Sequence, residues 1–475
     1  MTPGLAPGAL QKEIQMSLLI RNGEIVTSET RYRADILVEG EKITRIGKDL
    51  EGPPDAEVID AKGKYVFPGF IDPHVHIHLP FMGTHAKDTY ESASKAALVG
   101  GTTTLIEMCC PARGDDLLES FETWLGKAEG KSACDFTFHM GVSRYDDKAE
   151  SQLKEIVARG IASFKVFLAY KGAFGVTDDE LYNTLRLAKK LGVITTAHCE
   201  NPDLVSSLQQ KLLAEGKTDP KWHYWSRPPQ VEAEGVHHLM TFAELLDAHV
   251  YIVHTSCKEA LNEAVAAKLR GVKVWVETLI QYLVTDMTFC ELPGFEGAKY
   301  VMSPPLRHKD NQPVFWHALQ QGLVSTLATD HAPFDYAGQK EMGKDDFTKI
   351  PNGIPSLEDR VTLLYTHGVR EGRLDLHRFV DVASTAAAKL FGMYPDKGTV
   401  AVGADADLVV FDPEAKGVIS AKTHQMNIDY SAFEGWKIQG RPDVVTMRGK
   451  VSVRDGKFVG ELGHGKLVKR EPSHF

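Results

Sequence analysis

The most constraining feature of this sequence is its central stretch, residues 68–395, in which short apolar segments alternate with segments of helical periodicity. Alternating β and α elements favour a parallel sheet with helical crossovers. Eight repeats sharing these residues, at roughly 41 residues each, are typical of a (β/α)8 barrel of the TIM type. The predicted strands, which are rich in β-branched residues, lie at 66–76, 102–109, 135–142, 161–169, 193–200, 249–256, 272–278 and 323–331.

The segments between these strands carry helix signals. Residues 181–192, 260–271 and 313–322 have apolar residues at helical spacing, and each closes at a glycine, as helices often do. The longest gap between strands, 201–248, contains WHYWSRPPQVEAEG at 222–235. We interpret that segment as an elaborated loop that walls a pocket.

Both ends of the chain are strand-like. Residues 18–66 and the stretch from about 398 contain short β-branched runs broken by Gly and Asn-Gly, which is a hairpin pattern. We predict one small β-sandwich domain from 16–66 and 397–462, with the barrel at 67–396, a flexible extension at 1–15 and a C-terminal tail at 463–475. Two independent terminal tails are the alternative.

Composition excludes several classes of protein. With 43% hydrophobic residues the chain has enough apolar material to fold. A net charge of −10 gives no support for nucleic-acid or anionic-membrane binding. There is no apolar run near the ~20 residues that span a bilayer and no secretory signal pattern. The six cysteines lack a CxxC spacing and are expected to be reduced, so we expect a cytoplasmic protein.

Metal-binding residue types end five of the predicted strands. His74 and His76 lie two apart, so in an extended strand they face the same side; His198, His254 and Asp330 end strands five, six and eight. Barrel enzymes place their active sites at these strand ends. Taken singly, each residue has another reading, such as a surface pair, a satisfied histidine or a helix cap. Together they predict a metal site.

Lys165 lies inside the apolar fourth strand, where a lone ammonium is costly to bury. A buried salt bridge, for instance to Asp330, is one explanation. The other is that burial favours the neutral amine, which reacts with carbon dioxide to give a carbamate that bridges two cations. The ligands would then be His74, His76 and Asp330 for one cation and His198 and His254 for the other, with Lys165 shared.

Imidazole and carboxylate ligands suit Zn2+, while Mn2+, Co2+ and Fe2+ stay open. Two cations sharing a water would give hydroxide near neutral pH. Asp330 could take its proton and pass it to a leaving nitrogen. Tyr170, five residues after Lys165, could donate to the oxyanion or could be a wall aromatic. Such a site hydrolyses carbonyl compounds.

The motifs PGFIDPHVH, SFKVFLAYKG, AHCEN, VHTS, VMSPPLR and ATDHAPF follow one another in order. The chain thereby resembles the amidohydrolase superfamily and, within it, the dihydropyrimidinase and hydantoinase group of cyclic amidases. The likeness runs over about residues 18–460, and the lysine motif with its trailing tyrosine and the SPPLR segment are specific to this branch.

The resemblance implies a carboxylated Lys165 between two zinc ions, with Asp330 as ligand and proton shuttle and Tyr170 as the oxyanion donor. It implies that main-chain groups of Ser303 and Asn352 hold the cyclic substrate; without it, both would be interpreted as turn residues. The implied reaction opens dihydropyrimidines or hydantoins to N-carbamoyl amino acids by attack of a metal-bridging hydroxide. A homotetramer or homodimer is also implied.

Alternatives stay open within this resemblance. A dihydroorotase-like enzyme would carry arginine at the position of His78, which argues against dihydroorotate, but allantoin, a cyclic imide or a lactam remain candidates. Phe81, Met82, Phe167 and Cys109 are expected to form apolar pocket walls. A non-catalytic oligomeric scaffold, as in the collapsin response mediators, is the remaining alternative, and the complete set of ligands favours the enzyme.

Overall fold

A computed structural model of the protein describes residues 17–472. The predicted extension at 1–15 lies outside the described residues. The N-terminal part is strand-rich because β-branched residues alternate with turn residues. Its strands are β1 (Ser17–Arg21), β2 (Glu24–Val26), β3 (Arg31–Arg33), β4 (Asp35–Glu39), β5 (Lys42–Gly47), β6 (Glu57–Asp60) and β7 (Tyr65–Pro68).

Eight parallel strands form the central sheet, and they neighbour one another in chain order. The predicted (β/α)8 barrel is confirmed. A short hairpin, β9 (Pro80–Phe81) with β10 (Thr84–His85), follows the first barrel strand. The barrel strands are β8 (Phe70–Val75), β11 (Thr102–Cys109), β12 (Asp135–Gly141), β13 (Ser163–Phe167), β14 (Ile194–His198), β15 (Val250–Ile252), β16 (Val274–Leu279) and β17 (Thr326–Ala328).

The first predicted strand, 66–76, is in fact two strands in different sheets. β7 pairs with β2 in the small domain, whereas β8 pairs with β11 in the barrel. Gly69 lies between them, and a Cβ there would come within 2.0 Å of the Thr103 hydroxyl. The chain passes from one sheet to the other at a point where only glycine fits.

Helices cover the outside of the barrel. They are α1 (Tyr90–Val99), α2 (Leu117–Ala128), α3 (Asp147–Ala158), α4 (Asp178–Leu191), α5 (Pro202–Ala214), α6 (Trp222–Ser226), α7 (Pro229–Leu246), α8 (Lys258–Leu269), α9 (Ile280–Val284), α10 (Asn311–Gln320), α11 (Arg360–Leu364), α12 (Leu376–Val380) and α13 (Ala386–Leu390). Short 3-10 turns occupy Met287–Glu291, Glu296–Tyr300, Lys340–Gly343 and Phe347–Lys349, and π-helical turns occupy Tyr365–Val369 and Asp381–Thr385.

The interpretation of 222–235 as a loop is wrong. The segment forms α6 and the start of α7. Pro228 is the N-cap of α7 and Pro229 is its first helical residue, a position where proline needs no hydrogen-bond donor. The two prolines therefore begin a helix here. In the part of the chain that the structure describes, no helix combines the length and apolarity that a membrane crossing needs.

The barrel closes without a continuous ladder between β8 and β17, which are the two edges of the central sheet. The buried Arg360 guanidinium donates to the carbonyl of Ile71 on β8 at 2.9 Å and to that of Leu327 on β17 at 2.7 Å. Beyond it, the His76 N–H donates to the His331 carbonyl at 2.8 Å. These bonds form a seam that brings the ends of β8 and β17 together.

The remaining strands are β18 (Leu408–Val418), β19 (Lys437–Met447), β20 (Lys450–Arg454) and β21 (Lys457–Phe458). They join β7, β2 and β3 in a seven-stranded sheet, and β5, β4, β1 and β6 form a second sheet. An apolar core between them combines residues from both chain ends, including Leu18 and Leu408. The small β domain built from both termini is therefore confirmed.

An ionic cluster lies where the small domain meets the barrel. The buried Lys397 ammonium is 2.6 Å from carboxylate oxygens of Asp135 and Asp407 and 2.9 Å from Asp405. Asp135 begins barrel strand β12 and also pairs with Arg448 from the small domain. We call these five residues the junction cluster. It ties the two domains together with buried, mutually compensated charges.

Candidate metal centre

Three of the predicted ligands converge at the seam. The Nε2 atoms of His74 and His76 each lie 3.1 Å from Asp330 Oδ1, and the ligand atoms of all three lie within 4.8 Å of one another. All three side chains are buried. His74 belongs to β8, His76 follows it, and Asp330 follows β17, so barrel closure brings them together.

The other two predicted histidines lie beside this group. The ring centroids of His198 and His254 are 4.6 Å apart, and His254 is 5.3 Å from His74. His198 ends β14, and its Nε2 forms a hydrogen bond of 2.7 Å with Glu200. That bond leaves Nδ1 of His198 as the nitrogen available to a cation.

Lys165 lies on β13, which pairs with the strand that carries His198, and it lines the same cavity as His76, His198, His254 and Asp330. Its side chain is fully buried. Its Nζ has no hydrogen-bond partner among residues 17–472. Burial lowers the pKa of this lysine against the opposing pull of the Asp330 carboxylate. Within those residues, the salt bridge that would make Lys165 a purely structural residue does not form.

This donor set fits a pair of divalent cations. Burial lowers the pKa of His74, His198 and His254, so these rings are neutral at pH 7, which is the form that binds metals. Buried nitrogens without hydrogen-bond partners in the described residues include His74 Nε2 and Lys165 Nζ. Unsatisfied buried polar atoms call for an explanation, and coordination of cations supplies one.

Two supporting carboxylates were missed in the sequence. Glu277 on β16 accepts hydrogen bonds from His74 Nδ1 at 2.8 Å, from the Tyr251 hydroxyl at 2.7 Å and from the His254 N–H at 2.8 Å. Burial raises its pKa to about 8. Glu200 supports His198 in the same way. Such partners fix which ring nitrogen faces a metal. A carboxylate within an apolar strand, as in VKVWVET, was the available signal.

Three residues at the site adopt left-handed backbone angles: Tyr170 (φ 58°), His254 (φ 40°) and Asp330 (φ 50°). This region is unfavourable for residues with a Cβ and persists where the surrounding structure enforces it. The carbonyl of Tyr170 accepts hydrogen bonds from Ala173 and Gly175, both at 3.0 Å. The resulting tight turn holds the Tyr170 side chain over the cavity.

A cavity opens above the predicted ligands. Phe81 and Phe167 line it as expected, but Cys109 does not, and Cys110 takes its place. Consecutive strand residues face opposite sides, so the expectation was wrong by one residue. Met82 lies in an outer vestibule.

Ser303 and Asn352 lie together on the cavity wall, where Asn352 Nδ2 donates to Ser303 Oγ at 2.9 Å. Tyr170 lines the same cavity as both residues. Among residues 17–472, no partner binds the main-chain N–H or C=O groups of Ser303 and Asn352. His78 does not line the cavity; its ring packs on His85 with centroids 4.6 Å apart.

Residues 65–452 match the amidohydrolase family, and the chain belongs to that family. Within it, the chain is a cyclic amidase of the group formed by hydantoinases and dihydropyrimidinases. It is 50% identical to a D-hydantoinase of Geobacillus stearothermophilus, over 96% of this chain and 97% of that protein. A dihydropyrimidinase of Rattus norvegicus is 41% identical, over 96% and 89%.

A solved structure from Thermus sp., described as a D-hydantoinase (dihydropyrimidinase), is 65% identical to this chain. It superimposes with a TM-score of 0.95 and covers 96% of this chain and 100% of that one. The family assignment drawn from the sequence motifs is confirmed.

Proposed function

We propose that this enzyme opens the ring of hydantoins and dihydropyrimidines to N-carbamoyl amino acids, with a preference for the D enantiomer of substituted hydantoins. The names of the relatives support the substrate class and the enantiomer. The observation that carries the proposal is the buried Lys165 amine, which has no hydrogen-bond partner in the described residues and lines the same cavity as His76, His198 and His254.

The site would hold two Zn2+ ions, with Lys165 carboxylated at Nζ as the shared ligand. His74, His76 and Asp330 would bind one ion, and His198 and His254 the other. When bound, such a pair supplies Lewis acidity and lowers the pKa of the attacking water. Glu277 and Glu200 keep the rings of His74 and His198 in the required tautomer through their hydrogen bonds.

Asp330 would act as the proton shuttle. Its Oδ1 lies 3.1 Å from His74 and His76, and the seam holds its backbone beside β8. A carboxylate in this position can accept the proton of water and deliver it to the ring nitrogen as the amide bond breaks. Tyr170 would donate its hydroxyl proton to the oxygen on which negative charge develops.

The ring would be held by the free main-chain groups of Ser303 and Asn352, which match the alternating N–H and C=O edge of a cyclic ureide. Main-chain groups would contact only that edge of the ring, so the ring substituents would contact the apolar wall. Phe81, Phe167 and Phe174 form this wall. An aliphatic or aromatic substituent would therefore bind better than a charged one.

The test is a ring-opening assay on zinc-loaded protein with dihydrouracil, D- and L-5-substituted hydantoins, allantoin, dihydroorotate and succinimide. We expect turnover of dihydrouracil and D-hydantoins and close to two metal ions per chain. Tyr170→Phe should lower kcat about 100-fold without loss of metal, and Asp330→Asn should be inactive. If allantoin or succinimide were turned over fastest, the proposed substrate class would be wrong. If none of these compounds were turned over, the non-catalytic scaffold would be favoured.

A further inference from the structure

Another buried lysine, Lys340, lies outside the metal centre. Its side chain has no exposed surface, and its Nζ donates to three main-chain carbonyls: Val301 at 2.9 Å, Pro351 at 2.6 Å and Gly353 at 2.8 Å. An ammonium has three donors, so all are used. Within the described residues no carboxylate pairs with it, whereas buried lysines usually have such a partner.

These three carbonyls flank the residues proposed to hold the substrate. Pro351 and Gly353 are the chain neighbours of Asn352, and Val301 precedes Ser303 by two residues. The Gly353 N–H also donates to the Val301 carbonyl at 2.9 Å. Lys340 therefore joins the segment around Val301 to the segment around Asn352 by hydrogen bonds, close to where both segments line the cavity.

The geometry of the peptide unit links the hydrogen bonds of Lys340 to the orientation of the main-chain groups of Asn352. In a planar trans peptide unit the C=O and the following N–H point in opposite directions. Because the Pro351 carbonyl points at Lys340, the N–H of Asn352 points away from it. The Gly353 carbonyl, held by the same ammonium, fixes the chain on the other side of Asn352. The hydrogen bonds of Lys340 thus fix the orientation of the free main-chain groups of Asn352 from the side opposite to that on which its N–H points.

The segment that contains Asn352 and Gly353 is packed too closely against its neighbours for its backbone to shift. A Cβ on Gly353, whose φ is +150°, would come within 2.2 Å of the Ala332 carbonyl. Ala332 lines the cavity two residues after Asp330. Asn352 is therefore confined between the Lys340 ammonium and the loop that carries Asp330.

We propose that Lys340 is a positioning residue that orients the main-chain groups of Ser303 and Asn352 and so determines affinity for the cyclic amide ring. This inference rests on the proposed function. The three carbonyls explain the residue type, because an apolar side chain would leave buried acceptors unsatisfied. Lys340 touches neither the predicted metal ligands nor Tyr170, so its effect falls on substrate binding.

The experiment compares Lys340→Met and Lys340→Gln with Lys397→Met in zinc-loaded protein, because Lys397 at the junction cluster is also buried. We expect Lys340→Met to raise KM for dihydrouracil about 10- to 100-fold, since small misplacements of binding groups have effects of this size. The value of kcat should change less than about threefold, and metal content should stay at the wild-type level. Lys340→Gln, which keeps two donors, should show a smaller rise in KM.

Lys397→Met should lower Tm but leave KM within about twofold of wild type. Unchanged KM in a folded Lys340→Met protein overturns the inference, as does a loss of kcat and metal without a rise in KM. If Lys340→Met does not fold, Lys340→Gln decides between the same outcomes. A wild-type protein that opens no cyclic amide overturns the proposed function as well, whereas an active wild type with an unaffected Lys340 variant overturns the inference alone.

Discussion

Lys165 and Lys397 are both buried lysines, and their surroundings differ in one respect. Lys397 at the junction cluster lies within 2.9 Å of three carboxylates. Burial favours its neutral form, but the charges of Asp407 and Asp135 outweigh that effect and raise its pKa. Lys165 has no such partners and its pKa is lowered. The comparison shows that pairing, more than burial, decides whether a lysine is a fixed charge or a reactive amine.

The junction cluster and the candidate metal centre also differ in what neutralises their carboxylates. Carboxylate oxygens of Asp135, Asp405 and Asp407 lie within 4.8 Å of one another, as do the ligand atoms of His74, His76 and Asp330. At the junction cluster the chain supplies its own cation in Lys397. At the metal centre, the Nε2 atoms of His74 and His76 lie 3.1 Å from Asp330, and no lysine or arginine in the described residues forms an ion pair with this carboxylate. Geometry alone would have suggested two metal sites.

The largest effect expected from this comparison is that of Lys165→Met. Without the shared ligand, activity should fall more than about 1,000-fold, because the metal-activated nucleophile is lost, and metal content should drop with it. The metal-free variant should unfold no more easily than metal-free wild type, since a buried amine without a hydrogen-bond partner in the described residues has been removed. Ring-opening rates, metal analysis and urea unfolding measure the three quantities.

Lys397→Met serves as the control and should retain metal and most activity at 25 °C. If both variants lost metal alike, or if metal-free Lys165→Met were the less stable of the two, the contrast between a reactive and a paired lysine would be wrong.

The second effect is on stability. Lys397→Met should lower the free energy of unfolding by about 3–5 kcal/mol, because removing one partner of a buried ion cluster leaves uncompensated charges. Urea unfolding followed by circular dichroism provides the measurement. Lys154→Met, which breaks an exposed pair with Glu150, should change stability by less than about 1 kcal/mol. Equal effects from the two variants would mean that the junction cluster is not stabilising.

The third effect is stabilisation by metal. Added Zn2+ at about 1,000 times its Kd should stabilise wild type by roughly 4 kcal/mol, since the ion binds the folded state. Thermal unfolding with and without Zn2+ should show the same increment in Lys397→Met and almost none in Lys165→Met. An increment that survives in Lys165→Met would remove that residue from the ligand set.

The smallest effect concerns pH. Burial opposes ionisation of Asp135 and Asp405, but the charge of Lys397 outweighs it and lowers their pKa. In wild type their contribution is present above the unfolded value near 3.8 and is lost as pH falls below it. Without Lys397, burial should raise these pKa values above the unfolded ones, so the variant should lose stability as pH rises.

The free-energy difference between wild type and Lys397→Met should therefore be larger at pH 7.5 than at pH 4.5, by about 1–2 kcal/mol. Unfolding curves at the two pH values measure it. A difference that shrinks towards neutral pH would contradict the assigned sign.

The barrel could be predicted because its signals are local: apolar strands, helical periods and polar residues at strand ends. The convergence of His74, His198 and Asp330 followed from one rule about barrels and needed no contacts. Lys340 could not be found this way, since its role depends on hydrogen bonds to main-chain groups of other segments. Glu277 had a local signal, a carboxylate in an apolar strand, but its partner His74 is distant in sequence. The exchange of Cys109 for Cys110 reflects the same limit, because one residue of register reverses which side chain faces the cavity.

The seam between β8 and β17 has a consequence for catalysis. His74 and His76 stand on one side of it and Asp330 on the other, and the bonds that join the two sides include those of a single arginine side chain. A cation held by these three residues would cross-link the last gap in the barrel wall. Opening of the barrel between β8 and β17 would then also release that cation. A more rigid barrel would therefore retain its metal better, and a more flexible one would lose it more easily.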